Sequence, residues 1–159
     1  MILTDAGPLV ALVDKGEPDH DVCVACLPNL SGPMVTTWPA FTEAMYLLGE
    51  AGGWHAQESL WSMLQQGDLE IAFQGADDYE RMRALMHKYR DHPMDLADAS
   101  LVCLAEERRI REIFTLDERD FRTYRVHGRQ TFRLWPTKWP MSRAKKEFKK
   151  RREFSDGGR

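Results

Sequence analysis

Six acidic residues occupy positions from which side chains can do chemistry together. Asp5 ends the apolar run Met1-Ile2-Leu3-Thr4, and Asp117 ends a second apolar run, Ile113-Phe114-Thr115-Leu116. Between them lie Glu43, in the opening turns of a helix, and the pair Asp95/Asp98, whose i, i+3 spacing places both on one helix face. Asp120 follows Asp117 by three residues. Carboxylates gathered at one point repel each other and need a cation. Ligands that are all oxygen suit a hard one, Mg²⁺ or Mn²⁺. Such an ion acidifies bound water and stabilises charge on a phosphate under attack. Simpler readings compete at several positions. Asp95 also reads as a helix cap, Asp120 as a local cap or an ion-pair partner of Arg119 and Arg122, and Glu43 equally well as an ordinary helix acid. Asp5 is the hardest to explain structurally, because a carboxylate directly after a buried strand is costly without a partner.

These positions depend on the elements that carry them. Continuous apolar runs at 1–5, 34–37, 69–73 and 113–116 read as buried strands, with a further candidate at 131–134. Ala6-Gly7-Pro8 reads as a turn before a helix around Leu9–Val13. Helical patterns follow at 21–30, from Pro39 to Gly52-Gly53, at 54–66, at 77–90 and, most apolar of all, at 95–109. Strands alternating with helices predict an α/β domain with a mostly parallel sheet, whose ligand site lies at the carboxyl ends of the strands.

The 159 residues suffice for one domain with a single core. The net charge of −3 excludes a broadly basic nucleic-acid coat, but it hides an uneven distribution. Ser142–Arg159 carries eight basic and three acidic residues, which leaves residues 1–141 strongly acidic. This tail reads as an appended helix or a disordered extension. Its lysines Lys145, Lys146, Lys149 and Lys150, with Arg119 and Arg122, are candidates for sequence-independent RNA backbone contact. Three cysteines, Cys23, Cys26 and Cys103, an odd number, argue against a disulfide framework; Cys23 and Cys26 have the spacing of a redox or zinc pair but no second ligand pair, and read as two buried thiols on one helix face. No basic leader precedes the first apolar run, and no apolar stretch reaches the roughly 20 residues that span a bilayer. A soluble cytoplasmic protein is the expectation.

Thr4-Asp5-Ala6-Gly7-Pro8-Leu9-Val10-Ala11-Leu12 resembles the opening of PIN domains. Phe41-Thr42-Glu43-Ala44, Met94-Asp95-Leu96-Ala97-Asp98 and Thr115-Leu116-Asp117-Glu118-Arg119-Asp120-Phe121 resemble their second, third and fourth motifs, in the family's order. The resemblance covers 1–136 and leaves 137–159 as a basic extension. It implies a three-layer α/β/α sandwich and an acidic Mg²⁺ or Mn²⁺ pocket built on Asp5, Glu43, Asp98 and Asp117. Asp95, Asp120 and Thr115 are auxiliary, Thr115 by positioning a neighbour or water. The implied activity is endonucleolytic cleavage of RNA. The nearest likeness is to VapC-like toxins, generally dimers silenced by an antitoxin protein. The alternative is a non-catalytic or solitary PIN module that binds RNA. A receiver domain would need an Asp after the third strand and a late Lys. An aspartyl phosphatase would need an acid at Gly7. Neither pattern is present.

Overall fold

The computed structural model describes residues 1–92 and 94–136. The basic extension, including Lys145, Lys146, Lys149 and Lys150, lies outside the described residues. Five strands, β1 (Ile2–Thr4), β2 (Met34–Thr36), β3 (Leu69–Ile71), β4 (Glu112–Phe114) and β5 (Arg133–Trp135), form one sheet in the order β3-β2-β1-β4-β5. Every neighbouring pair is parallel. The chain starts in the middle strand, winds outward through β2 and β3, then returns to the other side of β1 with β4. The order therefore reverses between β1 and β4, and that is where an open parallel sheet leaves a crevice for a ligand.

Alternation along the strands separates two cores. Ile2, Met34 and Phe114 face one side and pack with Leu9, Val10, Phe41, Leu48 and Leu60. These come from α1 (Ala6–Val13) and α3 (Trp38–Gln66). Leu3, Val35 and Ile113 face the other side, against Leu85, Leu101, Val102, Leu104 and Phe121. Those belong to α4 (Asp78–Lys88), α5 (Leu96–Arg108) and α6 (Glu118–Thr123). The result is the expected three-layer sandwich. Both faces of the middle strands are covered, so β1 and β2 are buried throughout and read as unbroken apolar runs. Each fully buried Leu or Phe contributes about 1.5–3 kcal/mol. All three cysteines are buried free thiols, with Cys23 and Cys26 in α2 (His20–Cys26).

Two details depart from the sequence reading. Ala6-Gly7-Pro8 is not a turn but the first turn of α1, entered directly from Asp5. Proline is tolerated there because the first helical N–H groups have no intrahelical acceptor. Helix α6 has no counterpart among the elements read from the sequence; at six residues it is too short to show a period. The expected break at Gly52-Gly53 is real. α3 is kinked there into two helical stretches, because Gly53 leaves helical geometry at φ 61°, ψ −153°, a region open chiefly to glycine. Among the described residues no helix is long and apolar enough to cross a membrane.

Candidate active site

Asp5 leaves β1 at the strand-order reversal. Its backbone N–H continues the ladder to the Phe114 carbonyl (3.0 Å). Its side chain caps α1: Oδ1 accepts from the Ala6 N–H at 2.7 Å. The second oxygen, Oδ2, accepts from the Thr115 hydroxyl at 2.8 Å. The same Thr115 Oγ1 accepts from the Asp117 N–H at 3.0 Å. One buried hydroxyl thus ties the end of β1 to the end of β4. Asp117 caps α6 in turn, taking the Asp120 N–H on Oδ1 at 3.1 Å.

α5 delivers the next pair. Asp95 is its N-cap, with Oδ1 accepting from the Asp98 N–H at 2.8 Å. The structural reading of Asp95 is therefore correct as far as it goes. Asp98 Oδ2 accepts from the Tyr124 hydroxyl at 2.9 Å. Thr37 caps α3, and its Oγ1 lies 2.6 Å from the buried Ser100 Oγ, so the start of the Glu43 helix is joined to the start of the Asp98 helix. Ser100 also donates to the Ala97 carbonyl, and its own carbonyl accepts from Gln74 at 3.1 Å.

The acids act on one another. Burial first, then the charges of Asp95 and Asp117, raise the Asp5 carboxyl to about 6 against the lowering pull of Thr115 and Ala6. Burial raises Asp98 to about 8, with Asp95, Asp5 and Asp120 adding to it and Tyr124 opposing. Glu43 is also raised, by burial and then by Asp95 and Asp5. The Tyr124 phenol is pushed above its usual range, by burial and then by Asp98. All six acids therefore share one electrostatic neighbourhood. Its donors are all oxygen, and its carboxyls resist ionising together, which is the condition a hard divalent cation relieves. Among the described residues no three side chains stand as a ready-made metal cage. The donor chemistry fits Mg²⁺ or Mn²⁺, and each carboxylate keeps acceptor capacity beyond the bonds above.

Three placements differ from the sequence reading or were missed by it. Asp120 does not pair with Arg119 or Arg122; its Oδ1 lies 2.7 Å from His92 Nε2. Arg122 instead approaches Glu118 at 3.8 Å, one turn away. His92 and Tyr124 were not singled out, and no local pattern marks them, since both reach the acids from loops or helix ends distant in sequence.

Comparison with known proteins follows the same lines. A chain from Mycobacterium tuberculosis named Ribonuclease VapC26 is 32% identical over 135 residues, covering 85% of this chain and all of that one. The crystal structure of Mycobacterium tuberculosis VapC20, described as a sarcin–ricin loop cleaving toxin, superposes with a TM-score of 0.70. It is 15% identical, and the match covers 75% of this chain and 92% of that one. A toxin–antitoxin complex from Klebsiella pneumoniae gives a TM-score of 0.57 at 21% identity, covering 76% and 90%. Both structures share the fold. The PIN domain model matches residues 2–126, the span that contains every strand-end and helix-cap acid described above, and the chain belongs to the PIN domain family.

Proposed function

We propose that this protein is a metal-dependent endoribonuclease, the toxin of a type II toxin–antitoxin pair. The observation that carries the reading is the neighbourhood of carboxyls held at raised pKa at the point where the strand order reverses. Full-length similarity to a protein named as a VapC ribonuclease supports the substrate class.

Asp5, Asp98, Asp117 and Glu43 are the residues to hold Mg²⁺ or Mn²⁺. When bound, the ion acidifies a water and offsets charge on the attacked phosphate. The chain's own contributions are positional. Thr115 fixes the Asp5 carboxylate and the Asp117 backbone in one arrangement. Tyr124 holds Asp98 through Oδ2. Glu43, on the exposed face of α3, orients the attacking water. In-line attack leaves a 5′-phosphate and a 3′-hydroxyl. Arg119 stands exposed beside the crevice and Arg122 one turn on, available to RNA phosphates that the acids repel. Lys145, Lys146, Lys149 and Lys150 of the 137–159 extension add to that attraction, and 1–136 is the catalytic domain. A cytoplasmic setting, an antitoxin partner and a homodimer complete the reading.

The test is cleavage of labelled single-stranded RNA by pure protein with Mg²⁺ or Mn²⁺, and again with chelator. Cleavage is expected only with metal. Cleavage that survives exhaustive chelation overturns the metal dependence, and no cleavage under any metal condition overturns the nuclease assignment. The second outcome favours a binding module.

A further inference from the structure

The crevice has a rim that the acids do not explain. Trp38 is 53% exposed, Phe73 81% and Leu96 51%, three large apolar side chains left to solvent. Their positions are not scattered. Trp38 is the first residue of α3, directly after Thr37. Phe73 follows Ala72, whose N–H bonds the Thr36 carbonyl, and precedes Gln74. Leu96 is the first residue of α5, directly after Asp95. Thr37 bonds the Ser100 side chain and Gln74 bonds the Ser100 carbonyl, while Leu96 lies one turn before Ser100. The three exposed residues are therefore chain neighbours, or within one helical turn, of residues joined through Ser100 at the carboxyl ends of β2 and β3. Trp38 also packs edge-on to Phe41, with centroids 5.7 Å apart, which anchors its backbone while leaving much of its surface free.

A strand of RNA approaching an acid cluster loses electrostatic attraction at the point where it must come closest. Aromatic faces restore affinity without charge, because every base has a π-face to stack. Bases accessible for stacking belong to single strands and loops. We propose that Trp38 and Phe73, bordered by Leu96, form a stacking rim that receives unpaired bases of the RNA while its backbone crosses the acids. The inference rests on the ribonuclease reading and adds to it the side chains that receive the bases and a binding polarity. Bases lie on the β2–β3 side, and phosphates lie toward Arg119 and Arg122 on α6.

The test uses the full chain and a labelled single-stranded oligoribonucleotide of mixed sequence, matched with one whose bases are removed around the cleavage position. Trp38→Ala and Phe73→Ala are each expected to raise KM about tenfold, with the loss falling on KM rather than kcat. Trp38→Phe is expected to recover most of the loss. Trp54→Ala, at an equally exposed aromatic beyond the Gly53 kink, serves as the control and keeps the wild-type KM. The base-free probe is expected to bind wild type weakly and to be insensitive to Trp38→Ala. Wild-type cleavage with unchanged KM in both alanine variants overturns the rim alone. So does equal binding of intact and base-free probes. A loss of self-association in the alanine variants with KM unchanged assigns these side chains to a protein interface instead. Wild type that neither cleaves nor binds the intact probe overturns the ribonuclease reading, and the rim with it.

Discussion

On the β4 side of the crevice the acids are locked. Asp5 has both oxygens engaged, Thr115 bonds on two sides, Asp117 caps a helix, and Asp98 is held by a phenol. On the β2–β3 side Glu43 is exposed on α3, and the neighbouring surface is an apolar rim with hydrogen bonds only beneath it. One flank fixes atoms to within hydrogen-bond tolerances. The other offers faces that accept varied shapes. Reaction chemistry needs the first property, because misplacing a reacting group is costly, and tolerant recognition needs the second.

Substitutions on the locked flank break this contrast most sharply. Asp5→Asn keeps a helix-capping oxygen and removes the charge. Metal-dependent cleavage is expected to fall about 10²–10⁴-fold with an unchanged circular-dichroism spectrum. Retained wild-type cleavage would remove Asp5 from the site. Thr115→Val strands one Asp5 oxygen and the Asp117 N–H, so cleavage is expected to fall by tens of fold and stability by about 1–2 kcal/mol in denaturant titration. Thr115→Ser should restore most of both.

Two smaller effects sharpen the same contrast through pH. An acid whose folded pKa is raised binds more protons folded than unfolded, so its ionisation destabilises the fold. The metal-free protein is therefore expected to be most stable at mildly acidic pH. It should lose stability as pH rises through the values of Asp5, about 6, and Asp98, about 8. A fall in Tm of about 5 °C from weakly acid to weakly alkaline solution is the expected scale. Asp98→Asn should flatten that slope, and Mg²⁺ should oppose it. Tyr124→Phe is the mildest change. Its ring still packs on Phe121 and Tyr89, but Asp98 loses the hydroxyl that lowers its pKa. The acid limb of the pH–rate profile should move to higher pH, with stability altered by less than about 1 kcal/mol.

Much of the locked flank was readable before any coordinates. Asp5 and Asp117 follow apolar runs, and such runs become buried strands whose ends share one crevice. Asp95 and Asp98 are separated by a helical turn. Tyr124 and His92 were not readable, because each meets its acid across 26 or 28 residues of chain with no periodic signal between them. Asp120 was misread for the same reason: proximity in sequence to Arg119 and Arg122 suggested a local pair, whereas the fold brings His92 closer. The rim was hidden by a different rule. Trp38, Phe73 and Leu96 are residue types that sequence reasoning places inside, and only the layering of α3 and α5 on the sheet leaves them outside.

The sheet's outer strands, β3 and β5, have three residues each, and each carries an exposed charged side chain, Glu70 on one and Arg133 on the other. Ladders this short and charged are poor templates for a further strand. Pairing with a further chain by extending the sheet is thereby discouraged. On the helical layers, by contrast, Tyr46 and Leu47 leave apolar surface exposed along α3. Short charged edges and exposed apolar helix surface thus divide the molecule's outside into regions that resist and regions that permit contact with another chain.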